Sequence, residues 1–188
     1  MASSKFQATL GPPFAPLSIL TQWALSMHAF RRNRVPVTKK VVAAALCNSG
    51  YSYRDVSRMI GGISYVAARN AYFSLLTSLP KEEKKSRRTV AIDGSDVNIE
   101  GNAYHLWLAR DVESGEIMTF QASPDASADD GARFLAAVAA QCANTPFVRL
   151  GEGPNTPRGL ANLDLYFQTP GSQSIIGRLG RLLHTSAG

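Results

Sequence analysis

Residues 89–111, TVAIDGSDVNIEGNAYHLWLARD, decide the fold of this 188-residue chain. Apolar and polar residues alternate on both sides of the turn-forming segment NIEGN at 98–102, which predicts two strands joined by a hairpin. A second turn-forming segment, ESGE, precedes a third alternating run at 117–121. The sequence therefore predicts three consecutive strands, with Asp93 at the end of the first.

The rest of the chain beyond this stretch predicts helices that alternate with short strands. Ser127 is expected to open the first helix, because acidic residues follow it where the helix N-terminus is positive. The expected elements are a helix at 127–143, a strand at 146–150, a short helix at 156–163, a strand at 165–168 and a last helix at 172–184. This β-β-β-α-β-α-β-α order predicts an α+β fold.

Five residues of the opening stretch have a spacing that is found in a known family: Asp93, Gly101, Tyr104, Ala109 and Asp111. With that spacing the stretch resembles the start of the catalytic domain of prokaryotic DDE-type insertion-sequence transposases. Asp93 takes the place of the first catalytic aspartate, but Gly-Ser follows it where the family has Glu-Thr, and an asparagine replaces a lysine. The resemblance implies an RNase H-like mixed β-sheet domain with flanking helices.

The same resemblance implies that most of the catalytic centre is lost. DDE strand transfer needs three carboxylates that hold two divalent cations, and the second and third positions correspond to Gly151 and Gly177. Glu152 is adjacent to the second position, but a shift of one residue turns a strand side chain to the opposite face. No acidic residue follows Asp164. We therefore expect a degenerate member of the family that keeps only a vestigial Asp93, binds no metal or cofactor and is not an enzyme.

Charge is divided unevenly along the chain. Residues 1–90 carry 14 lysines and arginines and 3 acidic residues, a net charge of +11, whereas residues 91–188 carry 6 and 11, a net charge of −5. A basic front half predicts contact with a polyanion such as nucleic acid. The alternative is that the two halves of the protein dock on each other electrostatically.

Residues 14–80 predict a helical domain that contains a helix-turn-helix. Helical patterns at 38–47, 53–60 and 64–76 are separated by glycines, with Thr38 as the expected cap of the first and a Gly-Gly turn before the third. The third helix is expected to read a DNA groove, although any three-helix unit produces similar spacing. The residues expected to contact nucleic acid are Arg31, Arg32, Arg34, Lys39, Lys40, Arg54, Arg58, Ser64, Tyr65, Arg69 and Tyr72, with Ala68 on the same face. The residues expected in the core are Val56, Met59, Ile60, Ile63, Val66, Ala67, Ala71 and either Phe73 or Leu75.

The remaining segments complete the domain plan. Residues 1–13 predict a flexible tail, residues 81–88 (KEEKKSRR) a charged linker, and residues 89–188 the RNase H-like domain. The apolar run at 14–30 is interrupted by polar residues at helical spacing, which favours a packing helix over a membrane anchor. No membrane association is therefore expected.

Cysteine and histidine usage gives no sign of a metal or disulfide site. Cys47 and Cys142 are isolated in apolar surroundings, so buried thiols in a reducing cytoplasm are expected. His28, His105 and His184 fall in different elements and are expected to be core or surface residues. The predicted location is cytoplasmic and nucleoid-associated.

Three hypotheses for function follow. The first is a catalytically inactive, domesticated transposase-derived protein that binds nucleic acid, DNA rather than RNA, through its basic half, with the RNase H-like half as a scaffold for dimer or partner contacts. The second is an interaction subunit of a larger ribonucleoprotein or transcription assembly, docking through the helix at 14–30 or the acidic C-terminal half. The third is an active DDE transposase whose missing carboxylates come from Glu152 or from a second chain.

Overall fold

The structure is a computed structural model that describes residues 15–30, 34–79 and 84–150. Within these ranges the elements are α1 (Pro16–Ser26), α2 (Val37–Asn48), α3 (Tyr53–Ile60), α4 (Tyr65–Leu76), β1 (Thr89–Ile99), β2 (Asn102–Asp111), β3 (Ile117–Ser123), α5 (Ala128–Ala140) and β4 (Phe147–Leu150). This content confirms the α+β class. The helices and the strand expected after residue 150 lie outside the described residues.

The described strands form one mixed sheet in the order β3-β2-β1-β4. β1 pairs antiparallel with β2, β2 pairs antiparallel with β3, and β4 lies parallel to β1. Glu100 and Gly101 form the β1–β2 turn with φ angles of 54° and 83°. Two consecutive positive φ angles suit a two-residue hairpin, and they confirm the turn expected at 98–102.

Asp93 lies in the middle of β1 and not at the end of the strand, which corrects the prediction. Its partner across the hairpin is Leu108, and pairing continues without interruption to Ile99 opposite Asn102. Residues 94–98 have low strand propensity, so the sequence suggested an early stop. The continuous ladder with β2 overrides that propensity.

Hydrophobic cores lie on both faces of the sheet. On one face, Leu106, Leu108 and Phe120 belong to a cluster that also contains the buried residues of α1 to α4. On the other, Trp107 stacks on Phe134 of α5 with ring centroids 6.1 Å apart. Helices α1 to α4 and strands β1 to β3 thus share the core on the first face of the sheet.

Side-chain caps fix the starts of three helices. Ser52, Ser64 and Ser127 accept backbone N–H bonds at the N-termini of α3, α4 and α5, and Ser127 forms a capping box with Asp130. The cap predicted at Thr38 is wrong. α2 begins at Val37, and its N-cap residue is Pro36, whose side chain has no group that can accept a hydrogen bond from the first turn.

The charged segment before β1 is tied to the sheet layer as far as the structure describes it. Arg87 is only 3% exposed, although the sequence predicted a solvent-exposed linker. Its guanidinium donates to Asp111 at 2.9 Å and to Glu116 at 2.8 Å, and Lys85 donates to the same Glu116 at 2.9 Å. Complementary charge on β2 and the following turn therefore draws the segment inward.

α1 packs against α2 and the sheet. Its apolar residues Leu17, Leu20 and Ala24 are buried, as expected for a packing helix, and Ser18 and Thr21 are buried as well. No helix in the described ranges combines the length and apolar character needed to cross a bilayer.

Candidate nucleic-acid interface

A tight turn joins α3 to α4. Gly61 and Gly62 both have positive φ angles, 67° and 60°, which favour glycine. The Ser57 hydroxyl donates to the Ile63 carbonyl at 2.7 Å and closes the turn. α3, the glycine turn and α4 therefore follow one another in the order that the sequence predicted.

One side of α4 packs inward and the other is open to solvent. Ala68, Ala71 and Leu75 are buried. The exposed side, named here the α4 outer face, consists of Tyr65, Val66, Arg69, Asn70 and Phe73.

The α4 outer face differs from the predicted reading face. Ala68, expected on it, is buried. Val66, expected in the core, is 46% exposed; of the two alternatives for the last core position, Leu75 is buried and Phe73 is 41% exposed. α4 packs against α2. Its small residues Ala68 and Ala71 are buried, and this packing sets which side of α4 faces solvent. The spacing of Val66, Arg69 or Asn70, and Phe73 is that of one helical face, but spacing alone does not tell whether the face is buried or exposed.

Arginines lie over the two exposed rings of the α4 outer face. The Arg54 guanidinium carbon is 5.9 Å from the Tyr65 ring centroid, and that of Arg69 is 4.9 Å from the Phe73 centroid. Such distances fall within the range of cation–π attraction. The outer face therefore presents aromatic surface and positive charge together.

Tyr72 belongs to an aromatic cluster beneath this face. Its ring centroid lies 6.2 Å from that of Tyr53 and 5.5 Å from that of Phe73. Burial, with smaller effects of Tyr53 and Cys47, raises the pKa of the Tyr72 hydroxyl. Tyr72 therefore supports Phe73 from below more than it faces solvent.

The other predicted contacts divide into exposed and buried groups. Arg54 and Arg58 are exposed on α3, where Arg58 pairs with Asp55 at 2.9 Å. Ser64 is exposed but its hydroxyl caps α4, and Arg34 is exposed before α2. Arg31 and Arg32 lie outside the described residues.

Lys39 and Lys40 are buried, so the structure does not place them as surface phosphate contacts. Lys39 Nζ donates to the Glu100 carboxylate at 2.5 Å and to the Gly61 carbonyl at 3.2 Å. Lys40 Nζ lies 4.8 Å from the Phe30 ring centroid, and burial lowers the pKa of Lys40. α2 is the central helix, buried from residue 39 to residue 47, and its first turn points inward.

The β1–β2 hairpin contacts the end of α3 as well. The Tyr104 hydroxyl donates to the Met59 carbonyl at 2.7 Å, and Asn102 Nδ2 donates to the same carbonyl at 3.2 Å. Together with the Lys39–Glu100 pair, these bonds hold the α3–α4 turn against the sheet. The orientation of the α4 outer face is thereby fixed relative to the strands.

Asp93 and Asp111, the two aspartates matched in the transposase-like stretch, both accept hydrogen bonds from arginines. Arg110 Nη2 donates to Asp93 Oδ2 at 2.9 Å, and Asp111 accepts from Arg87. Leu150 of β4 pairs with Ile92, directly before Asp93. No group of three or more histidine, cysteine or acidic residues capable of holding a metal occurs within the described ranges. Gly151 and Gly177 lie outside those ranges.

His105 is buried within the sheet. Its Nδ1 lies 2.7 Å from Asp96 Oδ1, and its ring meets the Trp107 ring edge-on with centroids 4.7 Å apart. It is a core histidine held by a neighbouring carboxylate.

Comparison with known proteins gives one informative similarity. No protein-family model matches the chain. The chain is 26% identical over 155 residues to an uncharacterized protein of Methanocaldococcus jannaschii, covering 81% of this chain and 72% of that protein. The similarity spans both the helices and the sheet and assigns no activity.

Proposed function

We propose that the chain is a catalytically inactive, transposase-derived protein that binds nucleic acid through its helix-turn-helix. The observation that carries this proposal is the α4 outer face, where Arg69 and Asn70 stand beside exposed apolar side chains. Arg54 and Arg58 flank it from α3. Arginine attracts phosphates, and both arginine and asparagine can hydrogen-bond to base edges.

The charge around this face supports a polyanionic partner. Asp55 is an acidic residue of α3, and its carboxylate already accepts a bond from Arg58. Arg34, Arg54 and Arg69 add exposed positive charge within the same helical half. Binding would therefore release counterions and weaken as salt rises.

Descent from a DDE transposase is supported by the order of the elements. The described β-β-β-α-β order is the one expected for the first part of an RNase H-like domain, and β4 lies parallel beside β1. In this proposal the domain acts as a scaffold that holds the α3–α4 turn through its hairpin. The surviving carboxylate, Asp93, is engaged by an internal cation, Arg110.

Binding to fluorescent oligonucleotides across a range of salt concentrations tests this proposal. With about three or four phosphate contacts, the logarithm of the affinity should fall with the logarithm of the salt concentration with a slope of roughly −3 to −4 for duplex DNA. Addition of EDTA should leave the affinity unchanged. Absence of any binding at the lowest salt concentration would reject the proposal.

A second candidate function is a protein-interaction subunit, and exposed Leu25 favours it. This α1 residue is 51% exposed, next to buried Ala24. Under this alternative, a single protein partner should co-purify with the native chain after nuclease treatment and be lost in Leu25→Ser. Nuclease-sensitive association with many partners would instead support nucleic-acid binding.

A further inference from the structure

We propose that the α4 outer face binds single-stranded nucleic acid by stacking unpaired bases on Tyr65 and Phe73. This inference rests on the proposed function and specifies the form of nucleic acid that is bound. The α4 outer face exposes a large aromatic surface to solvent. Tyr65 is 50% exposed and Phe73 is 41% exposed, whereas Trp107 and Phe120 are almost completely buried.

Each exposed ring carries an arginine. Arg54 lies over Tyr65 and Arg69 lies over Phe73. A guanidinium beside a ring can pair with the phosphate of a nucleotide while the base of that nucleotide stacks on the ring. Both rings belong to α4, and their arginines come from α3 (Arg54) and from α4 itself (Arg69).

The separation of the two rings fits a short stretch of one strand. Positions 65 and 73 are eight residues apart, which corresponds to about 12 Å along a helix axis. Stacked bases repeat roughly every 3.4 Å along one strand. The two rings therefore span about three to four nucleotides, and the strand between them would pass along Val66 and Arg69.

A duplex uses this surface less well. Bases inside a duplex are stacked on one another and expose only their edges, with which Phe73 cannot form hydrogen bonds. Arg69 is a polar side chain of the face, but its guanidinium lies over the Phe73 ring and not out towards a base edge. The Phe73 ring is also held in place from beneath, because Tyr53 and Tyr72 both pack against it.

The occupant is identified as nucleic acid by charge. A protein partner could also use exposed aromatic side chains, but Arg54 and Arg69 are exposed here and Arg58 offsets the nearby Asp55, so the surface keeps a net positive charge. Unpaired DNA and unpaired RNA share the chemistry of a base on a charged backbone. The experiment separates the two.

The test uses the full chain and four labelled probes of one mixed sequence at low salt: a DNA single strand, its duplex, the RNA single strand and an abasic strand that keeps every phosphate. The variant is Tyr65→Leu/Phe73→Leu, which keeps the charge and a helix-compatible apolar side chain at both positions. We expect the single strand to bind more tightly than the duplex and the abasic strand, and the variant to lose roughly fivefold or more in affinity per ring for base-containing strands only. Circular dichroism confirms that the variant is folded.

Each opposing result has a distinct meaning. Equal or tighter binding of the duplex, with no effect of the variant, overturns this inference but leaves the proposed function standing. A variant that loses self-association in sedimentation while its nucleic-acid affinity is unchanged overturns it in favour of a contact with a second copy. Absence of binding to all four probes overturns the proposed function itself.

Discussion

The Lys39 ammonium lies 2.5 Å from the Glu100 carboxylate and joins the first turn of α2 to the tip of the β1–β2 hairpin. The same ammonium donates to the Gly61 carbonyl, in the turn between α3 and α4. Lys39 thus connects three elements that are far apart in sequence. A lysine that the sequence suggested as a phosphate contact instead holds the α3–α4 turn on the sheet.

Lys39→Met should destabilise the protein while its fold stays the same. The methionine retains most of the buried stem but leaves the Gly61 carbonyl without its donor, and we expect a loss of about 1–3 kcal/mol in the free energy of unfolding. Urea unfolding monitored by circular dichroism measures this loss. Lys84→Met, at an exposed lysine, is the control for the loss of one positive charge. Equal stability of the two variants would contradict the role given to Lys39.

Substitution of the two turn glycines separates backbone strain from contact with Lys39. Both have positive φ angles, so alanine at either position should cost about 1 kcal/mol or more. A Cβ on Gly62 would lie 2.9 Å from Lys39 Nζ, whereas a Cβ on Gly61 meets nothing within 4 Å. We therefore expect Gly62→Ala to lower the free energy of unfolding by more than its backbone strain alone. A loss of no more than about 1 kcal/mol would show that Lys39 moves aside freely.

Stability should fall in acid because of the carboxylates around Arg87. Burial raises the pKa of Glu116, but hydrogen bonds from Lys85 and Arg87 outweigh it, and the pKa lies below its ordinary value of 4.5. Burial likewise opposes the bonds from Ser114 and Arg87 at Asp111, whose pKa lies below 3.8.

Because both pKa values are lower in the folded state, their stabilisation is complete above about pH 4.5 and is lost as the pH falls through the folded-state values. Glu116→Gln should therefore lower stability at neutral pH and make its dependence on pH below 5 shallower. Urea unfolding midpoints between pH 3 and pH 7 measure both effects. Glu113→Gln, at an exposed neighbour, should leave the profile unchanged, and an unchanged profile in Glu116→Gln would contradict the assignment.

The elements were easier to predict from sequence than the orientation of their side chains. Alternation identified β2 and β3, and serine followed by acidic residues identified the start of α5, because these are local preferences. The burial of Lys39 depends on Glu100, which lies 61 positions away, and no local pattern signals such a contact. The exposure of Phe73 depends in the same way on how α4 rotates against α2.

Asp93 should be dispensable for nucleic-acid binding, and divalent cations should not change that binding. Its partner Arg110 is 31% exposed in its side chain, so the ion pair should contribute no more than about 1 kcal/mol. We expect Asp93→Asn to bind oligonucleotides like the wild type, with or without Mg²⁺. Magnesium-dependent nicking of a supercoiled plasmid that Asp93→Asn abolishes would contradict the inactive assignment and favour an active transposase.

Nucleic-acid binding by the α4 outer face is tested most directly by two double variants that remove the same charge from different faces of the protein. Arg58→Ala/Arg69→Ala alters exposed arginines of α3 and α4, whereas Arg133→Ala/Arg149→Ala alters exposed arginines of α5 and β4. Fluorescence anisotropy of a labelled oligonucleotide at several salt concentrations gives the affinity and its salt dependence. We expect the first variant to bind weakly with a salt slope that is smaller by about two, and the second to stay close to wild type. Equal affinities and slopes for the two variants would contradict the assignment of the α4 outer face as the nucleic-acid interface.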